Sequence, residues 1–218
     1  MNFEFSDEQI AMKDEVRKLL DKENSLKRNR TILEGEEKFD KDLWNSLVSM
    51  GLTAVTIPEE FGGIGMGYLE LCVIAEELGR AIAPVPYSSS VYLATTAILN
   101  CASDEIKKEF LPKLASGEII GTFAHAESSG FPLEKSINCN FASGKISGTK
   151  TAVPDADIAD FAIVSAKSSS GVGLYLIDLK DANIEITSLD TFDPSRSHGN
   201  IDIKDASAKE LISDGWLE

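Results

Sequence analysis

The 218-residue chain sets 36 acidic against 21 basic side chains, for a formal charge of −15, and 43% of its residues are apolar. That is enough apolar surface for a sizeable core in one or two domains, while the negative field turns away nucleic acid and anionic membrane surfaces. No basic leader followed by an apolar stretch opens the chain, and no apolar run approaches the roughly 20 residues that cross a bilayer, so a soluble, cytoplasmic protein without membrane insertion is expected.

The first elements read as helices. Ser6 stands three residues before Gln9 as in a capping box, with Phe5 and Ile10 at the positions of a hydrophobic staple, and a helix from about 7 to 29 is expected. Asp40 repeats the device before Leu43, Trp44, Leu47 and Val48, a short apolar stripe closed by Gly51. Residues 54–67 then read AVTIPEEFGGIGMG. A dinucleotide cradle needs G-x-G-x-x-G opening a helix, and a P-loop needs a closing Gly-Lys-Ser/Thr. Gly62, Gly63, Gly65 and Gly67 match neither spacing, so they mark an unusual backbone path rather than a phosphate site. Residues 68–81 carry Leu71, Ile74, Ala75 and Leu78 at helical spacing before Gly79, and 88–100 continue helical through Val91, Leu93, Ala94 and Ile98. Ser103 caps a last helix over 104–115, which Pro112 is expected to kink.

After Gly117 the period changes to that of strands. Ile119–Ala126, Ser136–Ala142, Lys145–Val153, Phe161–Ala166, Gly173–Leu179, Ile184–Ser188 and Gly199–Ile203 are short β-prone runs, several of them separated by turn signals such as Ser143-Gly144. The expected fold class is α+β: an all-α amino-terminal domain over 1–118, then a small antiparallel β-barrel or sandwich domain over 119–218. Cys72, Cys101 and Cys139 form no C-x-x-C pair and are expected to be buried thiols in a reducing compartment. With His125 and His198 the only histidines, no metal site is expected.

Helices followed by a small β domain give the glycine stretch another context. Leu43-Trp44 and Gly51-Leu52 lead into Ile57-Pro58-Glu59-Glu60-Phe61-Gly62-Gly63-Ile64-Gly65, and Glu76-Glu77-Leu78-Gly79-Arg80 follows; Lys107–Glu118, Ile146-Ser147-Gly148-Thr149-Lys150 and Ala159-Asp160 come after in order. The set resembles the acyl-CoA dehydrogenase family over nearly the whole chain. In that family the Pro-Glu-Glu-Phe-Gly-Gly stretch is a structural loop, which leaves Glu59 and Glu60 as solvated or capping carboxylates. The resemblance implies FAD as cofactor, an acyl-CoA thioester as substrate for α,β-dehydrogenation, an electron-transfer flavoprotein or similar acceptor as partner, and a homo- or hetero-oligomer.

It also implies site residues. The flavin-facing strand of the family corresponds to Thr122–Gly130, with Phe123, His125 and Ala126 as the carried-over contacts, and its second flavin strand to Ala152, Val153 and Pro154. The chain departs from the pattern here. Ala126 replaces a threonine, Ala152 a tryptophan, Pro154 a threonine or serine, and Phe131-Pro132-Leu133 a Gly-Ser-Asp. His125 is either a crevice-filling histidine or a contact at the flavin or substrate edge. Val91, Tyr92 and Thr95 lie on the helix that lines the acyl pocket in relatives, although any core helix presents such a face. Asp190, Asp193 and Arg196 resemble a polar, solvated strand-to-strand turn. The family's catalytic base belongs to a carboxy-terminal helical bundle, which would begin about where this chain stops at Gly215-Trp216-Leu217-Glu218. The base is therefore unassigned, and neither Glu127 nor Glu118 is promoted to it. Two expectations stay open: an FAD-dependent dehydrogenase truncated before that bundle and inactive alone, or a non-catalytic partner subunit whose flavin contacts have decayed.

Overall fold

The computed structural model describes residues 4–35, 37–129 and 134–214. The Phe131-Pro132-Leu133 departure and the Gly215–Glu218 end lie outside them. The helical part comprises α1 (Asp7–Glu23), α2 (Leu26–Leu33), α3 (Lys41–Ser49), α4 (Tyr68–Arg80), a π-helical segment Ser88–Thr95 running into α5 (Thr96–Cys101), and α6 (Asp104–Ala115).

The Ser6 capping box forms with both of its hydrogen bonds, whereas Phe5 and Ile10 are each more than a third exposed. The single helix expected over about 7–29 is two. Asn24 ends α1 and Ser25 starts α2, its hydroxyl accepting from the Arg28 N–H at 3.1 Å. The break is tertiary in origin: Asn24 donates to the Ala81 carbonyl (2.6 Å) and Asn29 to the carbonyls of Ala81 and Ile82, so both asparagines stop the chain that leaves α4. That helix runs through Gly79, and the left-handed residue after it is Ile82 (φ 50°).

The glycine loop folds back on its own approach. The N–H groups of Gly62, Gly63, Ile64, Gly65 and Met66 donate to the carbonyls of Glu59, Pro58, Ala54, Ile57 and Val55 respectively. Every donor of that run is used inside the loop, so no anion is cradled there. Gly62 (φ 81°) and Gly65 (φ 70°) supply the turns. Glu59 and Glu60 are exposed, as the loop reading requires.

Seven strands follow among the described residues: β1 (Gly121–Ala124), β2 (Asn140–Ala142), β3 (Lys145–Pro154), β4 (Phe161–Ser168), β5 (Gly171–Asp178), β6 (Ile184–Ser188) and β7 (His198–Ile212). Strands β2, β3, β7, β5 and β4 pair in a closed ring, with β1 beside β4 and β6 beside β7. This is the expected small barrel, antiparallel except at β1–β4 and the single β2–β4 link Asn140↔Lys167. β7 continues nine residues past the expected end at Ile203, because it serves two partners: its first half pairs with β3 and β6, its second with β5. The polar Lys204-Asp205 that signals an end in sequence is a kink within the β3 pairing, which resumes at Ala206 and Ser207, with Asp205 left-handed (φ 57°).

The core crosses from helices to strands. Ile98, Ile106, Leu111 and Leu114 pack with Phe161, Ile163, Leu174, Leu176 and Leu211, which covers one face of β4–β5. The other face looks into the barrel, where Ile146, Val164, Tyr175, Ile177 and Ile201 are buried. Burial on both faces explains why Phe161–Ala166 reads as a continuous apolar run. The expectation of three buried thiols is corrected: Cys72 is exposed, Cys101 half-buried, and only Cys139 buried, its thiol pushed up to about 12 by burial.

One ion cluster fixes α1 on α4. The Glu77 carboxylate is fully buried and accepts from Arg17 (2.6 and 2.9 Å) and Arg80 (2.7 Å). The Arg17 hydrogen bond, with that of Arg80, lowers its pKa to about 2. Because the folded pKa is depressed, the stabilisation is present above the ordinary carboxylate range and is lost as pH falls toward about 2. Allowing for the half-exposed guanidinium groups, about 2 kcal/mol is expected to disappear between about pH 4.5 and 2, and Glu77→Gln to flatten that limb in urea titrations across the range.

Candidate functional site

Two segments named from sequence meet. β1 ends at Ala124, and the chain leaving it is joined to β3 where the Thr151 N–H donates to the Ala126 carbonyl at 2.8 Å. Phe123, His125 and Ala126 thus lie next to Ala152, Val153 and Pro154, and the Thr122 hydroxyl donates to the Pro154 carbonyl at 2.6 Å. Val153 is buried in the barrel, while Ala152 is exposed. It sits in a bulge of β3 against β7, in a left-handed conformation (φ 50°), its N–H bound to the Asn200 side chain. Phe123 and His125 are half-buried with ring centroids 6.4 Å apart. The result is a wall of small side chains and main chain. Ala152 is exposed and Ala126 and Pro154 are half-buried, so a ring laid here would meet small side chains and main chain, and Ala126 has no hydroxyl to give it.

Behind this wall lies a charge the sequence reading passed over. Lys150 is fully buried, and its ammonium donates to the His125 carbonyl (3.1 Å), the Glu127 carboxylate (2.7 Å) and the Ser165 hydroxyl (3.1 Å). His125 Nδ1 lies 2.8 Å from the same hydroxyl, which ties the ring to the barrel. Burial pushes the Glu127 carboxyl up, but the Lys150 hydrogen bond and the N–H groups of Cys139 and Asn138 bring it below its ordinary value. Burial also lowers the Lys150 ammonium.

One residue beyond Pro154 the wall meets the helices. Asp155 is buried and left-handed (φ 54°). It accepts from the Ser89 hydroxyl (2.5 Å) and from Arg196, whose other terminal nitrogen donates to Ser88 (2.6 Å). The third serine of that run, Ser90, accepts from the Gly121 N–H at 3.3 Å. Three consecutive hydroxyls on the π-helical segment therefore grip β1, β3 and the β6–β7 connection. Arg196 is thus a buried-pair partner, correcting the reading of the whole 190–196 turn as solvated; Asp190 and Asp193 are exposed as expected. Nothing in local spacing links Ser89 to Asp155 or Lys150 to His125, so only the tertiary fold reveals these pairs.

Beside Arg196 opens a cavity of about 500 Å³, lined by Leu78, Ile82, Val85, Tyr87 and Tyr92 with Ser88, Asp193 and Ser195 at its polar side. Of the three residues named for a pocket, Tyr92 lines it, in edge contact with Tyr87. Val91 packs in the helical core, and Thr95 is buried with its hydroxyl on the Ser90 carbonyl (2.9 Å). The described residues contain no cluster of metal-ligating side chains.

The family described as acyl-CoA dehydrogenase, N-terminal domain, matches residues 6–118. Acyl-CoA dehydrogenase FadE27 of Mycobacterium tuberculosis is 32% identical over 157 residues, 72% of this chain and 42% of that protein. Mitochondrial isovaleryl-CoA dehydrogenase of Solanum tuberosum is 30% identical over 64% of this chain and 36% of its own length, so the chain spans less than half of either relative. Among solved structures, the ChsE4–ChsE5 complex from Mycobacterium tuberculosis superimposes with a TM-score of 0.86 at 26% identity, covering 96% of this chain and 57% of that one. A Tcur3481–Tcur3483 steroid ACAD variant gives 0.84 at 28% identity, over 94% and 57%. With the family match covering the helical part and these structures covering both parts, the chain belongs to the acyl-CoA dehydrogenase family.

Proposed function

We propose that this chain is the flavin-facing part of an FAD-dependent acyl-CoA dehydrogenase acting on the α,β bond of an acyl-CoA thioester. The observation that carries the reading is the meeting of residues 123–126 with 151–154, one residue from the Asp155 junction and the Tyr92 cavity. In this reading residues 1–118 and 119–218 are separate domains. FAD, when bound, accepts the hydride. The chain's own contribution is to hold the ring against Phe123, His125 and Ala126 on one side and Ala152, Val153 and Pro154 on the other, with Tyr92 lining the acyl pocket. No described residue is assigned as base. An electron-transfer flavoprotein or similar acceptor, a homo- or hetero-oligomeric assembly and a cytoplasmic setting complete the proposal; no helix among the described residues is long and apolar enough to cross a membrane.

A second reading, a partner subunit of the same fold that has given up flavin, is favoured by the bare Ala126 and the exposed Ala152. The two are separated by flavin-fluorescence titration. The unmodified chain is expected to purify largely without FAD, since a missing hydrogen bond and a missing stacking contact, each worth about 0.5–1.5 kcal/mol, weaken binding by roughly 5- to 150-fold. Ala126→Thr with Ala152→Trp is expected to restore affinity by a similar factor, as the exposed position admits the indole. Absence of binding even in the double variant would leave the partner-subunit reading standing.

A further inference from the structure

A fully buried ammonium inside a small barrel is expensive unless every donor is met. Lys150 meets this condition with three acceptors on two segments: the His125 carbonyl and Glu127 carboxylate on the β1 exit, and Ser165 on β4. Glu127 in turn takes the N–H groups of Asn138 (2.5 Å) and Cys139 (3.0 Å), which lead into β2. All of this surrounds a stretch that has left its ladder: β1 pairs with β4 only through Ala124↔Val164. Past that point a regular strand would need no side-chain brace, but residues 125–127 turn away while remaining half-buried. Besides the Lys150 bonds, the Thr151 N–H to Ala126 carbonyl bond ties them to β3.

We propose that Lys150 is the positioning residue of the wall: its ammonium, clamped on the His125 carbonyl, Glu127 and Ser165, sets the main-chain path of residues 125–127. Calling that wall flavin-facing rests on the function proposed above; the clamp itself does not. The three bonds of the ammonium fall on the path of residues 125–127 and on the hydroxyl that holds the His125 ring, so its charge acts on position. The clamp also fixes His125 from two sides, through its carbonyl and through the Ser165 hydroxyl shared with its ring.

The test compares the unmodified chain with Lys150→Met and with Lys150→Met/Glu127→Leu, the second removing both charges so that the barrel keeps an apolar interior. Amide hydrogen exchange reads the Thr151 N–H, which reports the wall, against the Ile163 and Leu176 amides of the β4–β5 ladder, which report the barrel. The Thr151 amide is expected to exchange about tenfold faster or more, the scale of a lost charged hydrogen bond, with the ladder unchanged. FAD fluorescence titration is expected to show affinity falling by a similar factor. A purely structural Lys150 would release all three amides together in both variants, and an inert one would leave Thr151 protected in the double variant; either result overturns the proposal. Selective loosening at Thr151 with FAD affinity unmoved upholds the clamp and removes the flavin reading instead.

Discussion

Asp155→Ala is expected to lower stability by about 3 kcal/mol, measured as a shift of the urea midpoint at constant slope. Asp155 is buried where β3 meets the π-helical segment, and it satisfies the Ser89 hydroxyl and Arg196 together. Removing the carboxylate leaves a guanidinium with a quarter of its side chain exposed facing the Ser88 hydroxyl, while the buried Ser89 hydroxyl keeps the Pro86 carbonyl at 3.0 Å. Breaking a buried pair from one side costs about 3–5 kcal/mol, and the partial exposure of Arg196 sets the expectation at the lower end. Asp155→Asn keeps the left-handed backbone, which asparagine tolerates, and should lose less. The effect should reach the cavity, because Ser88 and Arg196 both line it. Tyr92 and Tyr87 share that cavity, so their fluorescence should change with Asp155→Ala and stay as it was with Glu77→Gln. A midpoint within about 0.5 kcal/mol of the unmodified chain would mean that the seam is held by its apolar contacts alone.

Gly63→Ala is expected to cost more than about 3 kcal/mol, enough to leave much of the chain unfolded at 37 °C. A Cβ at this position would stand 1.9 Å from the Ile57 carbonyl oxygen and 2.5 Å from the Ile57 Cβ. Ile57 is fully buried, so neither can withdraw. The neighbouring Gly62 has open space around its Cβ position and a φ of 81°, so Gly62→Ala costs only the backbone term of about 1 kcal/mol. Circular-dichroism melts of the two variants provide the comparison. Equal losses would show that the loop yields as a unit and that close approach is not what Gly63 serves.

Much of the architecture was legible in local chemistry. Ser6 with Gln9, Asp40 before Leu43, and Ser103 before Ile106 each place a side-chain acceptor on free N–H groups, a requirement that does not depend on the rest of the fold. Alternation and turn residues located all seven strands, and the change of period near Gly117 located the passage from helices to barrel. Glycine spacing alone excluded a phosphate cradle, and the loop's internally spent N–H groups agree. What local chemistry does not contain is the pairing of distant groups. The division of the first helix at Asn24 depends on carbonyls at 81 and 82, the length of β7 on two successive partners, and the burial of Val91 and Thr95 on which face of the π-helical segment meets the core. The same holds for Lys150 with His125 and for Asp155 with Ser89 and Arg196. A buried charge looks like a solvated one until its desolvation and its partner are both known, and both are set by segments 15 to 66 residues apart that only the closed barrel and its helical cover bring together.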